Sequence, residues 1–224
     1  MQKFLLATAA AALFAPAVNA ATITQSESFA SQGTDWALSA SFDQFDSSLG
    51  TLDSVVFDLT GNVTGTASAE QLGGASDVTL ELDATITSDL AGFGELGVVI
   101  PAASDTIALD AFDGEFDFDG PSGVTFSDLS GSDTISNTFT SGLAPFIGTG
   151  SFVVPTSAEG GSGTSGSGNV VTQFSSSASA DLTLTYNYTE SSDVVSPVPL
   201  PAAGWAMIAA LGALGAVARR RTKA

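Results

Sequence analysis

Two stretches of the chain alternate strictly between apolar and polar residues, and this alternation limits the possible folds more than any other feature. Over residues 77–86 (DVTLELDATI), apolar residues occupy every even position and polar residues every odd one. Near the end of the chain the same spacing recurs in Leu182, Leu184, Tyr186 and Tyr188. A period of two places alternate side chains on opposite faces of a β-strand, whereas an amphipathic helix needs a period of 3.6. The pattern predicts half-buried strands in antiparallel sheets.

Shorter apolar runs, separated by glycine-containing turn signals, extend this interpretation to most of the chain. The further strand candidates are residues 36–42, 52–60, 62–67, 96–100, 111–119, 124–129, 134–140, 148–154 and 170–175. Turns are predicted at Gly61-Asn62, Gly73-Gly74, Asp113-Gly114 and Gly120-Pro121. Ten or more short strands predict one all-β domain over residues 21–188, an antiparallel β-sandwich with Greek-key or jelly-roll-like connections. Residues 157–168, rich in Gly and Ser, are predicted to form a mobile loop, and residues 189–197 a polar linker.

The distribution of charge excludes several classes of function. The five basic residues all lie near the ends of the chain, as Lys3, Arg219, Arg220, Arg221 and Lys223. Residues 21–218 contain no Lys, Arg or His, whereas all 24 carboxylates lie between Glu27 and Asp193. Such a body cannot form side-chain salt bridges, and it lacks the cations with which proteins neutralise nucleic-acid phosphates. The charge predicts no nucleic-acid partner and favours a soluble, exported domain.

The N-terminus has the order of a secretory signal peptide. Lys3 precedes an apolar, alanine-rich stretch over residues 4–18, and Val18-Asn19-Ala20 places small residues where a signal peptidase reads them. We predict a signal peptide over residues 1–20 and cleavage between Ala20 and Ala21. The chain has no cysteine, so the exported domain must be stabilised by burial without disulfides.

The densest group of carboxylates, over residues 110–120 (DAFDGEFDFDG), is the best candidate for a binding site. As a calcium loop, it would use Glu115, Asp117 and Asp119, but Phe126 stands where the closing carboxylate belongs. As a strand, it would point its three phenylalanines inward and leave a solvent-facing row of Asp113, Glu115, Asp117 and Asp119. The strand is the favoured interpretation, and a Ca²⁺ ion bound along the row is the alternative.

Residues 21–218 lack most of the side chains that catalysis commonly uses. A serine or threonine nucleophile needs a base, and without His or Lys only carboxylates remain. Pairs of carboxylates can hydrolyse glycosides, but such pairs arise easily by chance among so many acidic residues. We therefore predict that the protein is not an enzyme and has no required cofactor.

The C-terminus combines a proline motif, an apolar segment and a basic end. Residues 202–218 are uncharged and rich in Ala and Gly, and as a helix they would span about 25 Å, somewhat less than the hydrocarbon core of a bilayer. Arg219, Arg220 and Arg221 follow, and clustered positive charge stays on the cytoplasmic side, which places the acidic body outside the membrane. We predict a transmembrane helix over residues 202–218 with a cytoplasmic end over residues 219–224.

The C-terminal features begin with Val198, Pro199, Leu200, Pro201 and Ala202. In this motif and in their order they resemble the VPLPA variant of the PEP-CTERM sorting signal of Gram-negative bacteria, whose five-residue motif is matched in full. The resemblance implies recognition by an exosortase, a membrane cysteine protease that cleaves near the proline motif. It also implies only transient contact with the inner membrane, and a final location at the cell surface or in the extracellular matrix, in association with exopolysaccharide or biofilm.

Four stretches of the body stand out, residues 42–55 (FDQFDSSLGTLDSV), 129–134 (LSGSDT), 148–150 (GTG) and 166–171 (GSGNVV). In these stretches the body is similar to the choice-of-anchor E domain, an extracellular domain found with alternative C-terminal sorting tails. It implies no catalytic or ligand-binding residues. The residue types at positions 46–51 also predict a turn between two strands, with Gly50 free to adopt a positive φ.

Together these features predict an exported protein with a structural or interaction role, processed by a signal peptidase and an exosortase. A carbohydrate-binding module for matrix polysaccharides, assisted by Ca²⁺, is the alternative. A glycosidase that uses only carboxylates is a third, more remote, hypothesis.

Overall fold

The structure, a computed structural model, describes residues 20–166 and 169–191. The strands are β1 (Ala20–Gly33), β2 (Trp36–Asp43), β3 (Gly50–Gln71), β4 (Ser76–Leu90), β5 (Gly94–Val99), β6 (Ala102–Leu109), β7 (Gly123–Phe139), β8 (Ser151–Gly166) and β9 (Val170–Glu190). A single 3₁₀ turn (Ala144–Phe146) precedes β8. Strands make up most of the described residues, so the fold is nearly all β, as predicted. None of the helical turns in the described part of the chain has the length and apolarity needed to span a bilayer.

The strands form two antiparallel sheets. Sheet A has the order β1-β9-β3-β7, and sheet B has the order β2-β8-β4-β5, with β6 also paired to β4. β5 and β6 pair with successive parts of β4 and act as one interrupted strand. With β5 and β6 counted as one strand, β1 pairs with β9, β2 with β8, β3 with β7, and β4 with β5 and β6. This nested pairing is that of a jelly roll, one of the two connectivities that the sequence predicted.

The core lies between the sheets and follows the predicted alternation. On β4 the even residues of the 77–86 stretch are all buried, and on β9 Leu182, Leu184 and Tyr186 are buried. The buried polar atoms of the larger side chains are also satisfied: Trp36 Nε1 donates to the Ala178 carbonyl (3.2 Å). The Tyr186 hydroxyl donates to the Asp43 carbonyl (2.8 Å). The prediction that period two marks inward-facing strands is confirmed for β4 and β9.

At each open edge of the sandwich, a side chain of sheet A bonds to the backbone of sheet B. On one edge, Gln25 of β1 donates to the Asp43 carbonyl (2.9 Å) and accepts from the Asp43 N–H (2.8 Å). On the other, Asn137 of β7 donates to the Leu96 carbonyl (2.8 Å). Edge strands otherwise present unpaired backbone groups to other chains. These contacts occupy backbone groups that would be free to pair with another molecule.

The Gly- and Ser-rich segment predicted as a mobile loop belongs to a strand as far as it is described. Residues 157–166 form the second half of β8, which pairs with β4; residues 167 and 168 lie outside the described residues. A Cβ at Gly161 would overlap the Asp83 carboxylate, and one at Gly160 would overlap the Thr34 side chain. The loop prediction was wrong because these glycines accommodate neighbouring side chains and do not signal a loop.

Several strand boundaries also differ from the prediction. β1 and β6 were missed, because both are edge strands in which most residues are exposed and only a few apolar residues face inward. The predicted turn at Gly61-Asn62 is wrong, since β3 runs through it without interruption. Position 61 favours glycine because a Cβ there would lie too close to the Ile86 side chain. β9 continues to Glu190, into the segment predicted as a linker.

Candidate functional site

The residues predicted as an acidic strand form a loop. This acidic loop, residues 110–122, connects β6 to β7 at the end of the sandwich where β3 stops and β9 starts. The predicted strand over residues 111–119 is therefore wrong, although its alternation of Phe and acidic residues matched a strand. The predicted turns at Asp113-Gly114 and Gly120-Pro121 fall within this loop.

Aspartate side chains explain why this segment turns. Asp113 Oδ1 accepts from the Glu115 N–H (3.0 Å), and Asp117 Oδ1 accepts from the Asp119 N–H (3.0 Å). Such bonds, two residues forward, mimic a backbone turn and compete with strand pairing. Phe118, between the second pair, has a φ of 60°. This left-handed conformation is uncommon for a bulky residue and breaks the extended backbone.

A buried carboxylate from β3 holds the loop in place. Glu70 is fully buried, and its Oε1 accepts from the Ser122 hydroxyl (2.6 Å) while its Oε2 accepts from the Phe118 N–H (2.8 Å). Ser122 is itself fully buried. Hydrogen bonds to an ionised acceptor are about twice as strong as neutral ones. Glu70 therefore supports the strained residue at the centre of the loop, and the sequence analysis missed it.

Backbone contacts fix the rest of the acidic loop. Its first residue, Asp110, donates its N–H to the Pro121 carbonyl (2.8 Å), which closes the loop at its base. The Phe112 N–H donates to the Gly73 carbonyl (3.1 Å) in the β3–β4 connection. Gly123, the first residue of β7, lies against the Asp119 backbone so closely that a Cβ would overlap it. The loop is thus an integral part of this end of the sandwich.

Two of the three phenylalanines predicted to face inward are exposed. Phe112 is 40% exposed and Phe116 is 54% exposed. The Phe116 ring packs edge-on against Phe118 with ring centroids 5.0 Å apart. The acidic loop therefore presents aromatic surface beside its carboxylates, which is chemistry suited to contact a partner.

The four carboxylates predicted as a row do not form a metal centre in the structure. Over residues 20–166 and 169–191, no group of three or more Asp or Glu side chains lies close enough together to hold a metal ion. One oxygen of Asp113, of Asp117 and of Asp119 already accepts a backbone N–H of the loop. The arrangement favours the structural use of these carboxylates.

A second feature, on the outer face of sheet A, is an open depression of about 490 Å³. It forms where the pairing of β3 with β7 is irregular between Gly65 and Ala67. Its lining is mainly hydroxyl side chains, among them Thr64, Thr66 and Ser130, and it includes no aromatic ring. It contributes hydrogen-bonding groups but no surface on which a sugar or other ring can stack.

The turn predicted at residues 46–51 is confirmed. The Ser48 N–H donates to Asp46 Oδ1 (2.8 Å), and the Leu49 N–H donates to the Asp46 carbonyl (3.1 Å). The bond from the Ser48 backbone, with a smaller contribution from the Ser48 side chain, lowers the pKa of Asp46. Gly50 is needed for space, because a Cβ there would overlap the Thr189 carbonyl.

The processing signals are described only at the N-terminal cleavage site. Ala20 and Ala21 are the first residues of β1 and pair with Thr189 and Tyr188 of β9. The rest of the predicted signal peptide lies outside the described residues. So do the sorting motif, the predicted transmembrane helix and the arginines that follow it.

Comparisons with known proteins do not identify a family. No family model matches the chain, and no curated protein matches it. Among solved structures, it is similar to that of the infectious bursal disease virus Gx strain, at 15% identity and a TM-score of 0.14, covering 75% of this chain and 41% of that one. It is also similar to a mud crab tombus-like virus structure, at 7% identity and a TM-score of 0.17, covering 89% of this chain and 95% of that one. The chain spans about two fifths of the bursal disease virus chain, and similarities this distant carry no argument about function.

Proposed function

We propose that the protein is exported across the inner membrane of a Gram-negative bacterium, sorted by an exosortase, and displayed at the cell surface or released into the matrix. One observation carries the proposal: the VPLPA motif at residues 198–202 stands directly before a short apolar segment and an arginine cluster. The signal-peptide pattern at the other end of the chain is consistent with it. Its predicted partners are a signal peptidase, the exosortase and extracellular polysaccharide.

The placement of the strand ends supports display of the domain from one end. β1 begins at Ala20 and β9 ends at Glu190, and these two strand ends pair side by side. The acidic loop lies at the other end of β9, which at about 3.3 Å per residue is roughly 65 Å away. A domain held through the chain that follows Glu190 would present the acidic loop at its far end.

We propose a structural or interaction role without catalysis. The body has no Lys, Arg or His to activate a nucleophile. Its carboxylates are distributed over both sheets and every described one lacks a cationic side-chain partner, which favours solubility and repels nucleic acid and anionic membranes. The exposed surface of the acidic loop is the region best suited to contact a partner.

Changing the two prolines of the sorting motif tests this proposal. Pro199→Ala together with Pro201→Ala removes the motif and keeps the apolar segment and the arginines. We expect the variant to accumulate in the inner-membrane fraction, while the wild type appears at the surface or in the medium. Thr189→Ala, just before the sorting region, is the control and should be sorted normally. Normal sorting of the double variant would contradict the proposal.

A carbohydrate-binding role is the second candidate, and the exposed rings of Phe112 and Phe116 favour it. Aromatic faces beside carboxylates suit sugar rings, which offer apolar faces and hydroxyl donors. We expect Phe112→Ala with Phe116→Ala to abolish retention on matrix polysaccharide, and Leu49→Ala, which removes an exposed side chain (45%) at the opposite end, to leave it unchanged. Repeating the assay with Ca²⁺ and with chelator tests the proposed assistance by that ion. Equal retention of the two variants would refute the site.

A further inference from the structure

The predicted signal-peptidase site lies inside the first strand of the sandwich. Cleavage between Ala20 and Ala21 would cut a bond whose two residues pair with Thr189 and Tyr188 of β9. The pairing continues without interruption to Phe29 opposite Ala180. No residues separate the bond to be cut from the folded domain, so the domain itself has a direct effect on access to that bond.

A paired strand is a poor substrate for a protease. Recognition of an extended segment commonly uses its backbone N–H and C=O groups, as when a strand is added to a sheet. In the folded protein β9 already pairs with one edge of β1. Gln25, five residues after Ala20, also fastens β1 to the Asp43 backbone with bonds of 2.9 and 2.8 Å. Cleavage of the folded protein would require the start of β1 to detach from β9.

The strand that covers the site is the last one to be exported. β9 spans Val170–Glu190 and is the final strand in the described chain, while β1 is the first. During export from the N-terminus, β1 therefore has no partner until β9 has crossed the membrane. The site stays open for the whole of that interval and closes when β9 pairs with β1.

We infer that the signal peptide must be removed before β9 pairs with β1, and that the folded precursor resists signal peptidase. This inference rests on the proposed export of the protein. The C-terminal signal lies farther from the described strands in sequence: the Ser191 N–H donates to the Leu49 carbonyl (3.0 Å), and six residues separate Ser191 from Val198. Only cleavage at the N-terminus is inferred to need an unfolded body.

The experiment compares cleavage of full-length precursors, refolded in detergent and incubated with purified signal peptidase. One variant carries a six-residue Gly/Ser spacer between Ala21 and Thr22, which moves the site away from β1. A matched control carries the same spacer after Gly92, in the turn between β4 and β5. A third, Leu182→Asp with Leu184→Asp, places two charges in the core and prevents β9 from docking. Circular dichroism establishes which precursors are folded.

We expect the wild type and the Gly92 control to be cleaved at least about tenfold more slowly than the Ala21 spacer variant, because cleavage then depends on the fraction of molecules in which β1 has opened. The unfolded double variant should be cleaved as fast as the spacer variant. Equal cleavage of the folded wild type and the spacer variant would overturn the inference but leave the export proposal intact. Failure of all four proteins to be cleaved at Ala20–Ala21 would overturn the predicted signal peptide and the inference together.

Discussion

Replacing Glu70 with glutamine removes the charge that fixes the acidic loop and keeps the shape of the side chain. The Glu70 carboxylate accepts two buried hydrogen bonds, from the Ser122 hydroxyl at 2.6 Å and the Phe118 N–H at 2.8 Å. Glutamine has only one acceptor oxygen, so one of the two donors would face its NH₂ group. A buried donor left without a partner costs about 1–3 kcal/mol, and bonds to a charged group contribute about 1.5–3 kcal/mol. We expect Glu70→Gln to lower the free energy of unfolding by about 2–3 kcal/mol.

The control must remove one negative charge elsewhere, because any loss of charge relieves repulsion in a body without cations. Glu81→Gln does this at an exposed position on β4, and we expect a change within about 0.5 kcal/mol. Urea unfolding followed by far-ultraviolet circular dichroism measures both variants. Limited proteolysis should also show earlier cleavage within residues 110–122 in Glu70→Gln alone. Equal stability of the two variants would refute the role given to Glu70.

Three further predictions concern titration and salt. Burial, with a smaller contribution from Asp43, raises the pKa of Tyr186 well above its usual range. Because the tyrosine phenol of the unfolded chain ionises near pH 10, the stability that Tyr186 gives the fold below about pH 10 should be lost above it. Absorbance at 295 nm should then show Tyr186 ionising only as circular dichroism reports unfolding, and ionisation within an intact fold would be contrary to this. Because the pKa of Asp46 is lowered, Asp46 contributes to stability above the ordinary carboxyl pKa and loses that contribution as the pH falls through the lowered value. The difference in melting temperature between the wild type and Asp46→Ala should therefore narrow below about pH 4. A difference that does not depend on pH would count against the Ser48 bond. Since residues 21–218 hold no cationic side chain, the melting temperature should rise as NaCl screens repulsion, and a further rise with CaCl₂ over MgCl₂ at equal ionic strength would indicate a specific Ca²⁺ site.

The fold was predictable where a strand has one buried face and one solvent-exposed face. β4 and the second half of β9 have this property: the even residues of the 77–86 stretch and Leu182, Leu184 and Tyr186 are buried, and Tyr188 is partly buried. The same rule failed for residues 111–119, because phenylalanine and aspartate alternate there for a different reason. The aspartates cap neighbouring backbone N–H groups and make turns. Period two alone does not distinguish these cases.

Other features depended on tertiary contacts that local sequence does not contain. The glycines of residues 157–166 lie in β8 because side chains such as Asp83 occupy the space that their own side chains would fill. Glu70 looked like any other acidic residue, since its partner Ser122 is 52 positions away. Glu70 directly follows the inward-facing Ala69, so alternation would place it on the outer face, yet it is fully buried. Without a structure, nothing shows what it bonds to.

The intact mass of the protein purified from native cells tests both export and sorting. We expect an N-terminus at Ala21 and the loss of everything beyond the region of residues 198–202. The mature protein should therefore lack the apolar segment at residues 202–218 and Arg219, Arg220 and Arg221. A chain that still ends at Ala224 would contradict sorting by an exosortase, and one that still begins at Met1 would contradict export through a cleaved signal peptide.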